Sequence, residues 1–182
     1  MARLLKTQPW VIFILLIVGL LMSNFTVDND TLTTLILKII GCTICFIYPF
    51  TVGCILTDYL PERVRLNFNF YLVNSFIWFM TYSIITVFSD GQGMTFSGFS
   101  AIPMFYVFYA FLHFLAFPAK TLKSIELNRE ASLGEYIGDF FLIVFLPIGI
   151  WLLQPRIRQI IERDVNINEE RPTHQSSSPP RQ

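Results

Sequence analysis

Five long apolar stretches limit what this chain can fold into more than any other feature of its sequence. A helix needs about 20 residues to cross the roughly 30 Å of a membrane's hydrocarbon, because it rises 1.5 Å per residue. The second, third and fourth stretches meet this length, the first must borrow flanking residues, and the fifth is at the lower limit. The stretches are Trp10–Met22, Ile39–Leu56, Phe68–Phe88, Ala101–Phe117 and Ile137–Leu153.

The pattern within these stretches predicts helices. Only helices and closed β-barrels satisfy their own backbone groups in lipid, and barrel strands alternate apolar and polar residues. Here the apolar residues are consecutive. The predicted fold is therefore all-α, an integral membrane helical bundle in a single domain, 1–164, followed by a disordered polar tail, 165–182. Four transmembrane helices are expected near 8–24, 32–57, 68–89 and 100–118, and a fifth segment, 136–154, is either re-entrant or interfacial, or a fifth span.

Composition excludes a soluble enzyme, a nucleic-acid binder and a disordered regulator. Hydrophobic residues make up 53% of the 182 and charged residues only 14%, about half the usual charged share. A soluble domain of this size could not bury so much apolar surface. Thirteen basic residues balance thirteen acidic ones, so no net field attracts polyanions. We expect the lipid bilayer as the environment, with no nucleic acid or nucleotide as partner, and no cofactor or metal.

The distribution of basic residues bears on orientation, since cytoplasmic segments are enriched in Lys and Arg. If all five segments cross and the N-terminus is cytoplasmic, seven bases lie inside and six outside. If the fifth segment enters and returns, the count becomes twelve against one. Pro147 lies in the middle of that segment and should bend it, and Trp151, Arg156 and Arg158 are typical interface anchors. Short amphipathic helices that lie in the interface are predicted on both sides of the segment, over 121–133 and 156–164. The sequence therefore slightly favours a cytoplasmic N-terminus and tail, with residues 1–23 kept as an uncleaved anchor.

The last third of the chain carries a resemblance. Residues 122–158 contain LKSIEL and then GEYIGDFFLIVFLPIGIWLLQPR. This resembles the ending of small multi-pass membrane proteins of Bacteroidota that are uncharacterised. The resemblance implies a location in the bacterial inner membrane and attaches no activity.

Polar residues at similar depth form the main candidate binding site. Counted from the cytoplasmic helix ends at 1.5 Å per residue, Asn74 lies about 9 Å deep, His113 about 6 Å and Tyr48 about 12 Å. Asp139 begins the fifth segment on the same side. Ionisable residues at such depths are costly and tend to face partners or a cavity. We expect Asn74, His113 and Asp139 to face one another, with His113 and Asp139 as partners and Tyr48 as a further candidate member; interhelical hydrogen bonds without a ligand are the structural alternative.

Cys42 and Cys45 form a C-T-I-C motif. Such a pair can be redox-active when its surroundings stabilise a thiolate, but no loop contains a second pair to relay electrons. The favoured interpretation is that both act as small apolar residues at a helix contact.

The function predicted from these features is that of a non-catalytic inner-membrane protein, an accessory subunit, scaffold or assembly partner of another membrane protein. The alternative is a small transporter or channel subunit that uses the polar site at the cytoplasmic third. A thiol redox membrane enzyme is the remote alternative. Transporters usually show internal repeats, and none is visible in this sequence.

Overall fold

The computed structural model describes the backbone of residues 8–28, 30–92, 94–96 and 98–170, and the side chains of these ranges apart from 100 and 164–170. Within these ranges the fold is all-helical, as predicted. The α-helices are α1 (Pro9–Asn24), α2 (Thr31–Thr57), α3 (Phe68–Phe88), α4 (Ala101–Leu127), α5 (Leu133–Val144) and α6 (Leu146–Glu170), and a short 3-10 turn (Gly98–Ser100) leads into α4.

Local sequence signals fix most helix starts. Asp30 accepts a hydrogen bond from the backbone N–H of Thr33 at 3.0 Å at the start of α2, and Asn67 accepts one from Phe70 at 3.1 Å at the start of α3. Pro9 occupies the first turn of α1, where its missing N–H costs nothing. The first three helices consequently begin and end within one residue of their predicted bounds.

Three helices, α2, α3 and α4, are long and apolar enough to cross a membrane. The helix α1 is apolar but has 16 residues, about 24 Å of helix. The prediction of an all-helical fold is thus confirmed for the described residues, which contain three candidate spans. A crossing by α1 and the path of the fifth segment stay predictions.

The helix α4 is longer than predicted. It continues through Pro118 to Leu127, so the separate interfacial helix predicted over 121–133 is wrong. An interior proline costs about 3 kcal/mol, but the turn after it is buried in the bundle, with Leu122 only 1% exposed, and this packing offsets the loss. The helix ends where Asn128 adopts the left-handed conformation, with φ 54°, which a short polar residue tolerates.

The helix α6 likewise runs through Pro155, where the sequence predicted a separate short amphipathic helix. The predicted apolar stripe exists, since Ile157 and Ile161 are buried, but it packs against the bundle. Residues 165–170 continue this helix, so the tail predicted to be disordered from 165 is helical over that stretch. Residues 171–182 lie outside the described part of the chain.

The fifth apolar segment is split into two helices that fold back on each other. The helix α5 ends at Val144, and Phe145 leaves the helical conformation with φ −96° and ψ 48°. The helix α6 begins at the next residue, with Pro147 in its first turn. A Cβ at Gly149 would lie 1.9 Å from the carbonyl oxygen of Leu142, so only glycine permits this approach. The helices α5 and α6 thus form a helical hairpin.

The tip of this hairpin lies at mid-height of the bundle. Leu146 and Pro147 line a cavity of about 240 Å³ together with Leu16 of α1, Cys45 of α2 and Trp78 of α3, all near the middle of their helices. The open end of the hairpin meets the end of α4, where a side chain of α6 bonds Glu126. We call this end, with the 58–67 and 128–132 connections, the basic end of the bundle.

Small residues allow α1 and α2 to pack closely. A Cβ at Gly41 would lie 2.4 Å from the backbone nitrogen of Ser23 and 2.5 Å from the carbonyl oxygen of Gly19. Because both neighbours are backbone atoms, they cannot move aside independently of α1. The contact therefore depends on the absence of a side chain, as at other small-residue helix interfaces in membranes.

We expect Gly41→Ala to destabilise the protein by about 1–3 kcal/mol, the range for overpacked interiors. The measurement is the unfolding midpoint of the purified full chain in mild detergent, followed by circular dichroism. Gly138→Ala in α5 is the matched control, since nothing lies within 4 Å of its added Cβ. Equal midpoints for the two variants would contradict the close α1–α2 contact.

Candidate functional site

One arginine joins three helices at the basic end. Arg156 of α6 donates from Nε and Nη2 to the two carboxylate oxygens of Glu126 in α4, both at 2.7 Å. Its Nη1 and Nη2 also donate to Asp139 in α5, the latter at 3.1 Å. The Asp139 side chain is 8% exposed, and those of Arg156 and Glu126 are each 29% exposed. The planar guanidinium thus bridges two carboxylates that belong to different helices.

This bridge makes the burial of Asp139 possible. A buried carboxylate without a partner is strongly unfavourable. The hydrogen bonds to Glu126 and Asp139 raise the pKa of the Arg156 guanidinium, so the bridge stays charged. Lys123 lies 3.3 Å from Glu126, and the cluster of two bases and two acids is neutral as a whole.

Two further ion pairs flank the connection between α4 and α5. Lys120 lies 2.6 Å from Glu130, and Arg129 pairs with Glu135. Arg129 and the Ser132 donors lower the pKa of Glu135 to about 2. Such exposed pairs contribute little stability, but they place both signs of charge side by side at this surface.

Tyr48 forms a buried contact between α2 and the hairpin. Its hydroxyl donates to Oε1 of Gln154 in α6 at 2.8 Å, in a buried contact. Val52, Leu122 and Ile157 surround the pair and leave a void of only about 10 Å³. The contact closes the space between α2 and the hairpin.

Asn74 is satisfied within the bundle. Its amide nitrogen donates to the carbonyl of Phe70 at 2.9 Å, and its amide oxygen accepts from the hydroxyl of Tyr106 at 3.1 Å. The residue is 0% exposed. The amide therefore links α3 to α4 as an interhelical hydrogen bond.

His113 lies in a groove between α4 and α5, open on one side, with a volume of about 360 Å³. Its ring and that of Phe70 form a T-shaped pair, with centroids 4.9 Å apart. Its Nδ1 is buried and has no hydrogen-bond partner. The residues that line this α4–α5 groove are Tyr109, Leu112, His113, Ala116, Leu133, Tyr136, Ile137 and Phe140.

The structure does not bring the four predicted residues together. The expected pairing of His113 with Asp139 is not formed, because the Asp139 carboxylate pairs with Arg156. Asn74 and Tyr48 bond other partners. Equal depth fixes height along a helix but not the direction in which a side chain points. Tyr48, Asn74 and Asp139 make the interhelical hydrogen bonds of the structural alternative, whereas Nδ1 of His113 has no partner. A role of these residues in binding stays a prediction.

The two cysteines of the C-T-I-C motif are free thiols. Cys42 is 7% exposed. The Sγ of Cys45 lies 3.9 Å from the carbonyl oxygen of Leu16 and 3.0 Å from a Cβ built at Gly19. Both positions suit small apolar residues at a helix contact.

Sequence reasoning missed the residues that build the charged cluster. The sequence pattern predicts Arg156 only as an interface anchor and Glu126 only as part of a separate amphipathic helix. One signal was present, since an ionisable Asp139 within an apolar segment needs a partner and Arg156 lies 17 residues away. The sequence does not show that α5 and α6 fold back on each other, and only that fold brings Arg156 to Asp139.

Comparisons with protein-family models, with curated proteins and with solved structures found no match to this chain.

We expect Arg156→Gln to destabilise the protein by about 2 kcal/mol, because it leaves the buried Asp139 carboxylate without its partner. Asp139→Asn in the same chain should recover part of this loss, a coupling of about 1 kcal/mol. Denaturant titration of the full chain in detergent gives both values.

Arg158→Gln is the matched control. Its side chain is 57% exposed and pairs with Glu162 on the same helix, so the free energy of unfolding should change by less than about 0.5 kcal/mol. Additive effects of the Arg156 and Asp139 substitutions would contradict the bridge.

Proposed function

We propose that this chain is a bacterial inner-membrane protein with four spans, α1–α4, and a re-entrant hairpin, α5–α6, that enters and leaves on the cytoplasmic side. The observation that carries the proposal is the hairpin itself. Its tip meets the middle of α1–α4, and Arg156 ties its open end to the end of α4. Both termini are then cytoplasmic.

The distribution of charge supports this orientation. Of the nine basic residues described, eight belong to the basic end and one, Lys38, to the opposite end. There Lys38 donates to the carbonyl of Gly91 in the α3–α4 connection. Such asymmetry is typical of a cytoplasmic basic end. The resemblance of residues 122–158 to Bacteroidota membrane proteins supports the bacterial inner membrane.

The proposed role is non-catalytic, that of an accessory subunit or assembly partner of another membrane protein. The close packing between α2 and the hairpin supports this role over transport. Tyr48 bonds Gln154 there with almost no free volume around the pair, and the cavity above the hairpin tip is lined almost entirely by apolar side chains. A channel or transporter subunit, the second candidate, requires a polar path that these contacts do not offer.

Reporter fusions test the orientation. Alkaline phosphatase fused after Gln182 should be inactive, and green fluorescent protein at the same position should fluoresce, since both readouts depend on the side of the membrane. The same reporters fused after Gln92, in the α3–α4 connection, are the matched control and should give the opposite result. An active phosphatase after Gln182 would mean that the hairpin segment crosses, and would overturn the proposed topology.

Extraction in a lipid-preserving polymer tests the role. We expect the full chain to purify with a second membrane protein in fixed ratio, and the level of that protein in membranes to fall when this chain is deleted and to recover when it is restored. A chain that purifies alone, with no membrane protein changed in abundance, would overturn the assembly role.

A further inference from the structure

The α4–α5 groove is shaped to receive a chain from the surrounding lipid. Its open side is apolar, with Leu133 66% and Ile137 42% exposed. Its floor holds the small residue Ala116, which leaves room between the two helices. On the proposed topology this side faces hydrocarbon, so an acyl chain can enter without crossing polar surface.

One residue that lines the groove, His113, has a buried ring nitrogen without a partner. Among the described residues, Nδ1 of His113 is the buried side-chain nitrogen or oxygen that has no hydrogen-bond partner. Leaving such a group unpaired costs about 1–3 kcal/mol. The rings of Phe70, Tyr109 and Phe117 pack around the imidazole, at 4.9, 6.1 and 6.2 Å between centroids, and hold it in place. Because Nδ1 has almost no accessible surface while His113 is only partly buried, a ligand in the groove meets the imidazole at Nε2.

The mouth of the groove carries both signs of charge. Lys120 lies two helical turns from His113, about 10 Å along α4, and pairs with Glu130. Arg129 and Glu135 form the neighbouring pair. Glu130 and Arg129 are 57% and 58% exposed, so each keeps hydrogen-bonding capacity for a further group. A headgroup with both a phosphate and an ammonium complements this surface better than a purely anionic one.

We propose that the α4–α5 groove binds one zwitterionic glycerophospholipid of the inner leaflet. An acyl chain lies along the groove, and an ester carbonyl accepts a hydrogen bond from Nε2–H of the neutral His113. The phosphate lies near Lys120 and the ammonium near Glu130. This inference rests on the proposed orientation in the membrane and adds a lipid site to it.

Photolabelling of the full chain tests the site. The protein is reconstituted into vesicles of phosphatidylethanolamine and phosphatidylglycerol that contain a trace of phosphatidylethanolamine with a diazirine in its acyl chain. After illumination, mass spectrometry locates the label. We expect it to concentrate on residues 109–116 and 133–140 rather than on the lipid-facing surface of α3.

Three variants distinguish the contribution of the acyl-chain contact from that of the hydrogen bond to His113. Ala116→Phe fills the groove and should abolish the local label. His113→Leu should lower it about threefold, the factor that an average hydrogen bond in a membrane implies. His113→Asn retains a donor and should restore most of it. Phe108→Leu is the matched control, since Phe108 lies on α4, is 59% exposed and does not line the groove; unfolding midpoints verify that all four fold.

Uniform labelling of all lipid-facing surfaces, or labelling that survives Ala116→Phe, would overturn the site. A diazirine-bearing free fatty acid that labels the groove equally in wild type and His113→Leu would overturn the ester contact, because the chain alone would then be recognised. The same result with labelled phosphatidylglycerol as with phosphatidylethanolamine would overturn the headgroup assignment. The fusions after Gln182 decide the orientation independently of all these outcomes.

Discussion

The Arg156 guanidinium is the contact on which the hairpin depends. It is the group that neutralises the buried Asp139 of α5, and it does so while bonding Glu126 of α4 with two further donors. Without it, the open end of the hairpin would leave a buried carboxylate without a partner, at a cost of about 2 kcal/mol. Arginine suits this position because its planar fork offers donors to two carboxylates at once, which lysine cannot do with the same geometry.

The position of the hairpin tip depends on this contact of Arg156. With its open end fixed, the tip reaches the middle of the bundle, where Gly149 permits close approach to the Leu142 carbonyl. Aromatic rings pack beside the cavity above the tip: Phe46 stacks on Phe114 at 4.8 Å and on Trp78 at 6.0 Å between centroids. The lining of that cavity is almost entirely apolar.

The helix bounds show where sequence reasoning succeeded and where it could not. The starts of α2 and α3 were predictable because Asp30 and Asn67 satisfy first-turn N–H groups locally. The ends of α4 and α6 were not, because Pro118 and Pro155 are local signals to stop that tertiary burial outweighs. The candidate site failed for a related reason, since depth along the chain does not give the direction of a side chain around its helix.

The sequence by itself determined that this chain is helical and that three of its helices are long and apolar enough to cross a membrane. These properties depend on composition, on the length of the apolar stretches and on local capping, which act within a few residues. Only the tertiary structure decided that Asp139 bonds Arg156, that Tyr48 bonds Gln154 and that His113 lines a lateral groove and keeps an unpaired nitrogen. Those pairings join residues 17 and 106 positions apart, and they exist only once the break at Phe145 has turned α6 back along α5.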